Sequence, residues 1–179
     1  MKKGTEMEGF DEVYNTYSEL VYNIALNYVQ KTQDAEEITQ DVFLKVFRKR
    51  DGFKEASSLK TWIYRIAINT AIDYLRKRNR RPLLRVLITE SNAPQHKSEW
   101  KHPGVLLEEK EAYQALFSAL NKLPDAQKSS IILLKIEGLS QKKAAAILQI
   151  KEKALESLFQ RAKKSLLTTI EKEKNENNV

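Results

Sequence analysis

Apolar residues recur at three- and four-residue intervals in two long blocks of this 179-residue chain, with a proline-containing stretch between them. That interval predicts amphipathic helices, because it places the apolar side chains on one face of a helix. Five glycines and four prolines are few for an all-β protein, which needs many turns. The pattern therefore predicts an all-α protein of two small helical domains joined by a flexible linker.

The first block predicts a domain of three helices over residues 1–81. The apolar stripe of the first helix runs from Val13 to Tyr28. The second helix is expected to begin at Asp34, whose carboxylate can accept backbone N–H bonds as the N-cap. Glu37, three residues later, is expected to reach back and complete a capping box.

The third helix is expected to run from Leu59 to about Arg80, with the Ser58 hydroxyl as its N-cap. Pro82 stops this helix, because proline has no backbone N–H and clashes with the preceding turn. Residues 82–104 hold three of the four prolines and both histidines, and they are expected to form the linker.

The second block predicts another helical domain over residues 105–179. Ser140 can cap a short helix that ends near Leu148, and a longer helix is expected to start at Glu152. A short helix, a tight turn and a longer helix are the plan of a helix-turn-helix, whose second helix enters the major groove of DNA.

The helix that precedes this motif is expected to end at Gly138, where a left-handed backbone conformation suits glycine. Its core side chains are expected to be Ile131, Ile132, Leu134 and Ile136, which follow the apolar pattern.

The composition narrows the functional classes. A formal net charge of +7 suits a polyanionic partner, because lysine and arginine displace the counterions condensed on phosphates. The absence of cysteine excludes disulfides and thiolate sites, and it fits a cytoplasmic protein. No apolar run reaches the length of a membrane span, so no membrane insertion is expected. No constellation of catalytic residues, cofactor loop or metal motif is found, which predicts a non-enzyme without cofactors.

A dense basic run, RKRNRRPLLR, begins at Arg76 and ends a helix that carries Trp62, Tyr64 and Tyr74. Cations beside flat aromatic rings suit single-stranded nucleic acid, because the rings stack on bases while the cations hold phosphates. Each ring alone is as consistent with a place in the core, and Trp62 is left evenly balanced between the two roles.

A second basic group flanks the predicted turn and lines the long helix after it. The alternative for this group is a solvated helix surface with ion pairs along it.

On the middle of the second helix, Leu44 stands apart from the apolar stripe, with Gln40 and Asp41 near it. A large apolar residue among polar ones can anchor a protein interface, although singly exposed leucines are also common.

These segments together resemble a known family. DAEEITQDVFLKVFR, over residues 34–48, resembles region 2.2 of bacterial sigma factors, and residues 53–80 with W-I-Y-R-I-A-x-N resemble regions 2.3–2.4. Residues 120–166 resemble region 4, with the L-P opening, the E-G-L-S turn and the closing R-A-K-K-S-L. No region 1.1 or region 3 stands between or before them. The chain thus resembles the extracytoplasmic-function (ECF) group of the sigma-70 family.

The resemblance implies a transcription initiation factor that binds core RNA polymerase and directs it to promoter DNA. Region 2 would bind polymerase and recognise and melt the minus-ten element, and region 4 would recognise the minus-thirty-five element. The implied polymerase contacts are the β′ clamp helices and the β flap, and an anti-sigma factor is a plausible further partner. The residues implied for β′ binding are Gln40, Asp41, Leu44 and Lys45.

The resemblance also implies two DNA-binding sets. The residues implied for minus-ten DNA are Lys60, Trp62, Arg65, Asn69, Asp73, Arg76, Lys77 and Arg80. The residues implied for minus-thirty-five DNA are Lys142, Lys143, Lys151, Lys153, Glu156, Ser157, Gln160, Arg161 and Lys164.

Two alternatives stay open, a helix-turn-helix regulator that does not engage polymerase and a degenerate sigma-like module without initiation activity. The second is kept by departures from the family in region 4. Lys142 and Lys143 stand where the family usually has glutamates, and Gln149 stands at the usual turn glycine.

Overall fold

The structure is a computed structural model that describes residues 9–53, 57–80 and 107–176. Within these ranges it contains seven α-helices and no strand, which confirms the all-α class. The chain divides into two compact units, residues 1–100 and residues 101–179. The predicted linker over 82–104 lies outside the described residues, so the domain bounds 1–81 and 105–179 stay predictions. In the described ranges, no helix is both long and apolar enough to span a bilayer.

Unit 1 is a bundle of three helices, each of which packs against the other two. They are α1 (Phe10–Val29), α2 (Thr32–Lys49) and α3 (Leu59–Asn79), with a 3₁₀ turn at Arg50–Gly52 after α2. The expected apolar stripes meet in a core whose members are fully buried: Val21, Ile24, Tyr28, Ile38, Val42, Val46, Ile63 and Ala67.

The start of α2 differs from the predicted one. The helix begins at Thr32, and its N-cap position is occupied by Lys31 without a side-chain capping bond. Asp34 is therefore already inside the first turn, and the predicted capping box with Glu37 is wrong. Asp34 is instead buried against α3, where its carboxylate forms an ion pair with Arg78 at 2.9 Å.

The start of α3 follows the prediction. The Ser58 hydroxyl accepts a hydrogen bond from the backbone N–H of Thr61 at 3.2 Å, as an N-cap does. Farther along, the buried Thr70 hydroxyl accepts a hydrogen bond at 3.0 Å from Lys45 on α2. The cap thus fixes the start of α3, and the Lys45–Thr70 bond connects the middle of α3 to α2.

Unit 2 contains α4 (Leu107–Asn121), α5 (Asp125–Ile131), α6 (Gln141–Leu148) and α7 (Glu152–Glu176). Helix α5 continues as a π-helical turn over Ile132–Ile136. The long helix α7 packs against α4, α5 and α6. The buried core of the unit comes from all four helices and the π turn: Phe117, Leu120, Ile131, Ile132, Leu133, Ala144, Ile147, Leu155 and Ala162.

The π turn changes which side chains are buried at the end of α5. Ile131 and Ile132 are buried as predicted, but Ile136 is 38 % exposed and Leu134 is only half-buried. Leu133 is fully buried in their place. A π turn holds one more residue than an α turn, so it rotates the following side chains away from the positions that α-helical periodicity predicts.

The predicted helix-turn-helix is present as α6 and α7. The Ser140 hydroxyl accepts a bond from the Lys143 N–H at 3.4 Å, and Gly138 has a φ of 62°. Gln149 ends α6 in the left-handed conformation with a φ of 58°. The next residue, Ile150, donates its N–H to the Ala145 carbonyl at 3.1 Å, which closes the turn.

Gln149 therefore carries backbone strain that glycine would not. A left-handed conformation costs a side-chain-bearing residue about 1–2 kcal/mol, and glycine loses about 0.5–1 kcal/mol of that advantage through its unfolded-chain entropy. We expect Gln149→Gly to raise the free energy of unfolding by about 0.5–1 kcal/mol. Gly138→Ala, its matched counterpart, should lower it by about 1 kcal/mol. Urea denaturation measures the free energy of unfolding of both variants. A Gln149→Gly variant that is no more stable than the unchanged protein would refute the strain assigned to Gln149.

Candidate nucleic-acid and protein interfaces

The outer face of α3 carries a continuous stripe of polar and aromatic side chains. Its members recur at three- and four-residue intervals, so an unbroken helix places them on one side: Trp62, Arg65, Asn69, Asp73, Arg76 and Arg80. Lys77 lies beside this stripe, whereas Lys60 lies away from it near the start of the helix. The structure thus brings together seven of the eight residues implied for minus-ten DNA.

Trp62 is half-buried at the start of this stripe. Its ring packs on the ring of Phe53, with the centroids 5.2 Å apart and the planes inclined by 49°. Phe53 itself is buried, so it supports the indole from below while part of the indole stays accessible. A supported, partly exposed ring is what a base-stacking platform requires.

The two other aromatic residues that sequence placed on this helix have different surroundings. Tyr64 is buried in the bundle. The Tyr74 hydroxyl donates a hydrogen bond to the Glu37 carboxylate at 3.4 Å. Burial, reinforced by the carboxylates of Asp34 and Glu37, raises the pKa of Tyr74, so the hydroxyl stays protonated and keeps this bond. On the outer face of α3, Trp62 alone is therefore a stacking candidate.

The basic side chains at the end of α3 point in two directions. Arg76, Lys77 and Arg80 are exposed on the outer side. Arg78 turns toward α2, where its guanidinium pairs with Asp34. Arg81 lies outside the described residues. The cations that remain on the outer side continue the stripe that begins at Trp62.

The outer face of α2 is a separate surface that contains Gln40, Leu44 and Phe47. All three are exposed, Leu44 by 53 % and Phe47 by 44 %. Asp41 is exposed at the edge of this face, nearer α3. Lys45 lies farther to that side, half-buried, with its ammonium on Thr70. Of the four residues implied for polymerase binding, three therefore lie on the exposed face and Lys45 lies at its border.

Aromatic residues extend this surface onto α1, which sequence reasoning missed. The Phe10 ring lies 5.3 Å from the Phe47 ring, and the Tyr14 ring lies 4.7 Å from that of Phe43. The Arg50 guanidinium lies 4.1 Å above Phe47. Phe47 and Tyr14 are exposed and Phe10 is half-buried, but all three fit the pattern of helical apolar residues, so no sequence signal set them apart. We call Leu44, Phe47, Tyr14 and Phe10 the apolar patch of unit 1.

The outer face of α7 carries the other DNA-binding candidates. Four of them recur at helical intervals and are exposed: Lys153, Ser157, Gln160 and Lys164. Glu156 and Arg161 flank this row on its two sides. The Ser157 hydroxyl donates back to the Lys153 carbonyl at 3.1 Å, and Arg161 donates to the Ser157 carbonyl at 3.3 Å.

Three lysines outside α7 belong to the same predicted set. Lys142 and Lys143 are exposed in the first turn of α6, and Lys151 is exposed in the turn before α7. All nine residues implied for minus-thirty-five DNA are therefore exposed on the helix-turn-helix. Where side chains are described, no cluster of three or more histidine, aspartate or glutamate residues could hold a metal ion.

Comparison with known families and proteins agrees with this arrangement. Residues 13–81 match the family model "Sigma-70 region 2", and residues 113–166 match "Sigma-70, region 4". Together these matches cover more than half of the chain. They do not favour a plain helix-turn-helix regulator, because such a protein would not contain the region 2 bundle.

Similar proteins share both regions. The chain is 29 % identical over 172 residues to the ECF RNA polymerase sigma-E factor of Escherichia coli K12, covering 93 % of this chain and 88 % of that protein. It is 27 % identical over 170 residues to the sigma-E factor of Haemophilus influenzae, covering 93 % and 89 %. The sigma factor RpoE of Bartonella quintana, solved with the anti-sigma factor NepR, has a TM-score of 0.63 at 26 % identity, covering 90 % of this chain and 96 % of that one. The chain belongs to the sigma-70 family, as a sigma factor of the extracytoplasmic-function group.

Proposed function

We propose that unit 1 binds polymerase through the outer face of α2 and holds the minus-ten element on the outer face of α3, while α7 reads the minus-thirty-five element. The chain is a transcription initiation factor that directs core RNA polymerase to promoters. The observation that carries the residue assignment is the presence of two different exposed faces on one small bundle, one apolar and one polar with a basic end.

The polymerase surface is proposed to be Gln40, Asp41 and the apolar patch of unit 1, with the β′ clamp helices as the partner. Large apolar side chains at the centre of an interface contribute most when a partner removes them from water. Lys45 is proposed to act at the border of this surface, where its bond to Thr70 fixes α2 against α3. Unit 2 is proposed to contact the β flap.

The minus-ten element is proposed to bind as single-stranded DNA along the stripe from Trp62 to Arg80. An unstacked base would rest on Trp62, and the cations at the end of α3 would contact phosphates. Lys77 would add a phosphate contact beside the stripe, and Lys60 would contact the phosphate backbone near the start of the helix. A duplex needs no aromatic platform, so this combination favours melted DNA over intact duplex.

The minus-thirty-five element is proposed to bind as duplex in the major groove, with α7 as the reading helix. Lys142, Lys143 and Lys151 would contact phosphates beside the groove. Gln160 can pair with adenine, and Glu156 can accept a hydrogen bond from cytosine. A glutamate that faced a phosphate would weaken binding, so Glu156 is proposed to face a base.

Three further properties belong to the proposal. The protein is proposed to act by binding rather than by catalysis, and to do so in the cytoplasm, where polymerase works. Its structural relative from Bartonella quintana was solved with an anti-sigma factor. We infer that an anti-sigma factor also restrains this chain.

Replacing Lys153 and Arg161 together with alanine tests the assignment of α7. Each phosphate contact releases about 0.9 of a counterion, so the loss of two contacts should flatten the slope of log affinity against log salt by about 1.8. The measurement is fluorescence anisotropy of the full-length protein with a labelled duplex of mixed sequence, over a series of salt concentrations.

The matched control is Lys49→Ala with Lys172→Ala, which removes the same net charge from exposed positions outside the proposed DNA-binding set, one on α2 and one near the C-terminal end of α7. This control should leave the slope unchanged. An unchanged slope in the Lys153 and Arg161 variant would exclude these two residues from the DNA interface.

A further inference from the structure

Four side chains hold the C-terminal end of α3 to the start of α2, and we call them the α2–α3 clasp. Arg78 Nη1 donates to Asp34 Oδ2 at 2.9 Å, and the Tyr74 hydroxyl donates to Glu37 Oε2 at 3.4 Å. Tyr74 and Arg78 are four residues apart, so they lie on one side of α3 in successive turns. The clasp therefore holds the last two turns of α3 at two points.

Asp34 is the centre of the clasp. It is a charged residue with only 9 % of its surface exposed, which is costly unless the charge is paired. Its second oxygen lies 3.7 Å from the ammonium of Lys31, so both oxygens face cations. Arg78 is two-thirds buried in this pair, with 33 % of its side chain exposed. This burial distinguishes the pair from a mobile surface salt bridge.

The segment that the clasp holds carries the basic run. Arg76 and Arg80 are four residues apart, and like charges at that spacing destabilise a helix. The N–H of Arg80 bonds to the Arg76 carbonyl at 3.1 Å, in the final turn, where helices tend to fray. Asp34 supplies a negative charge on the inner side of this turn, while Arg76, Lys77 and Arg80 stay exposed on the outer side.

We propose that Asp34 is a positioning residue for the nucleic-acid surface of unit 1. By binding Arg78, it holds the last two turns of α3 in helical form, so that Arg76, Lys77 and Arg80 meet DNA as a fixed array. Arg78 serves as the anchor and does not bind DNA. This inference rests on the proposed function, because the minus-ten role of the three outer cations is part of that proposal.

Asp34→Asn in the full-length protein tests the inference, because it keeps the size of the side chain and removes its charge. The probe is a labelled single-stranded DNA of mixed sequence, used well below the unfolding temperature of each variant. Loss of a charged anchor bond should weaken DNA binding about tenfold. If Arg78 were instead a DNA ligand, Asp34→Asn would release it, and unchanged or tighter binding would overturn the inference.

Arg78→Gln and the double variant complete the test. Asp34→Asn and Arg78→Gln disrupt the same bond, the one between Asp34 and Arg78. The double variant should therefore bind DNA as weakly as either single variant, and additive losses of affinity would show that the two residues act separately. Amide hydrogen exchange of residues 77–80 should become faster in all three variants. Affinity for core polymerase should stay unchanged, whereas general damage to the bundle would lower it too.

Two further variants separate the role of the clasp from the minus-ten assignment. If Asp34→Asn does not fold, Tyr74→Phe keeps the Asp34–Arg78 pair and removes the Tyr74 hydroxyl, which bonds to Glu37 and also interacts with Asp34. This variant should weaken DNA binding about threefold, and unchanged binding would refute the clasp. Arg76→Ala with Lys77→Ala tests the proposed function separately. Unchanged DNA binding in that variant refutes the minus-ten assignment and the inference with it. A loss there, combined with normal binding by Asp34→Asn, refutes the clasp alone.

Discussion

Replacing Leu44 with arginine is expected to weaken binding to core RNA polymerase by at least about 100-fold, because central apolar residues of interfaces are often worth more than about 2 kcal/mol and a buried, unpaired arginine adds a further cost. Leu44 is 53 % exposed in the free protein, so the change should not disturb the bundle. Titration of fluorescently labelled protein with core polymerase measures the affinity, and circular dichroism measures the helix content.

The matched control is Asn23→Arg, which adds the same charge at an exposed position of α1 on the side away from Phe10 and Tyr14. This variant should bind polymerase normally. Equal losses in both variants would indicate a general charge effect, and unchanged affinity in Leu44→Arg would exclude the outer face of α2 from the polymerase interface.

Replacing Trp62 with alanine is expected to reduce open-complex formation by about tenfold or more. Stacking of one base on an aromatic side chain is worth about 1–3 kcal/mol, and alanine removes the platform that Phe53 supports. Permanganate reactivity of unpaired thymines in the minus-ten element measures melting directly, in reactions that contain core polymerase and a cognate promoter.

Trp62→Phe is the control, because it keeps an aromatic ring on Phe53 and should restore most of the melting. Binding of core polymerase should be normal in both variants, since Trp62 lies on α3 and the apolar patch lies on α1 and α2. If Trp62→Ala melted the promoter normally and only lowered the unfolding temperature, the indole would be a core residue and the stacking role would be wrong.

The local features of the fold could be predicted from the sequence because they depend on residues close together in the chain. Ser58 and Ser140 cap their helices, and Gly138 adopts a positive φ, through contacts within a few residues. The members of the outer stripe of α3 are implied by the family resemblance, and the structure places them on one side, since an unbroken helix does this for residues at three- and four-residue intervals.

Features that depend on tertiary contacts could not be predicted in this way. Asp34 resembles an N-cap in sequence, but its partner, Arg78, is 44 residues away. The exposure of Phe47 depends on how far α1 covers α2, which no periodicity records. The π turn at Ile132–Ile136 leaves Ile136 exposed, because it breaks the α-helical period that the sequence pattern assumes.

Transcription in vitro tests the central claim most directly. Purified core polymerase is incubated with a pool of promoter fragments, with and without this protein, and the transcripts are mapped to their start sites. We predict initiation that depends on the protein, at fragments that share sequence elements near minus ten and minus thirty-five. Stable binding to core polymerase without any initiation would contradict this account, and it would indicate a sigma-like module that no longer starts transcription.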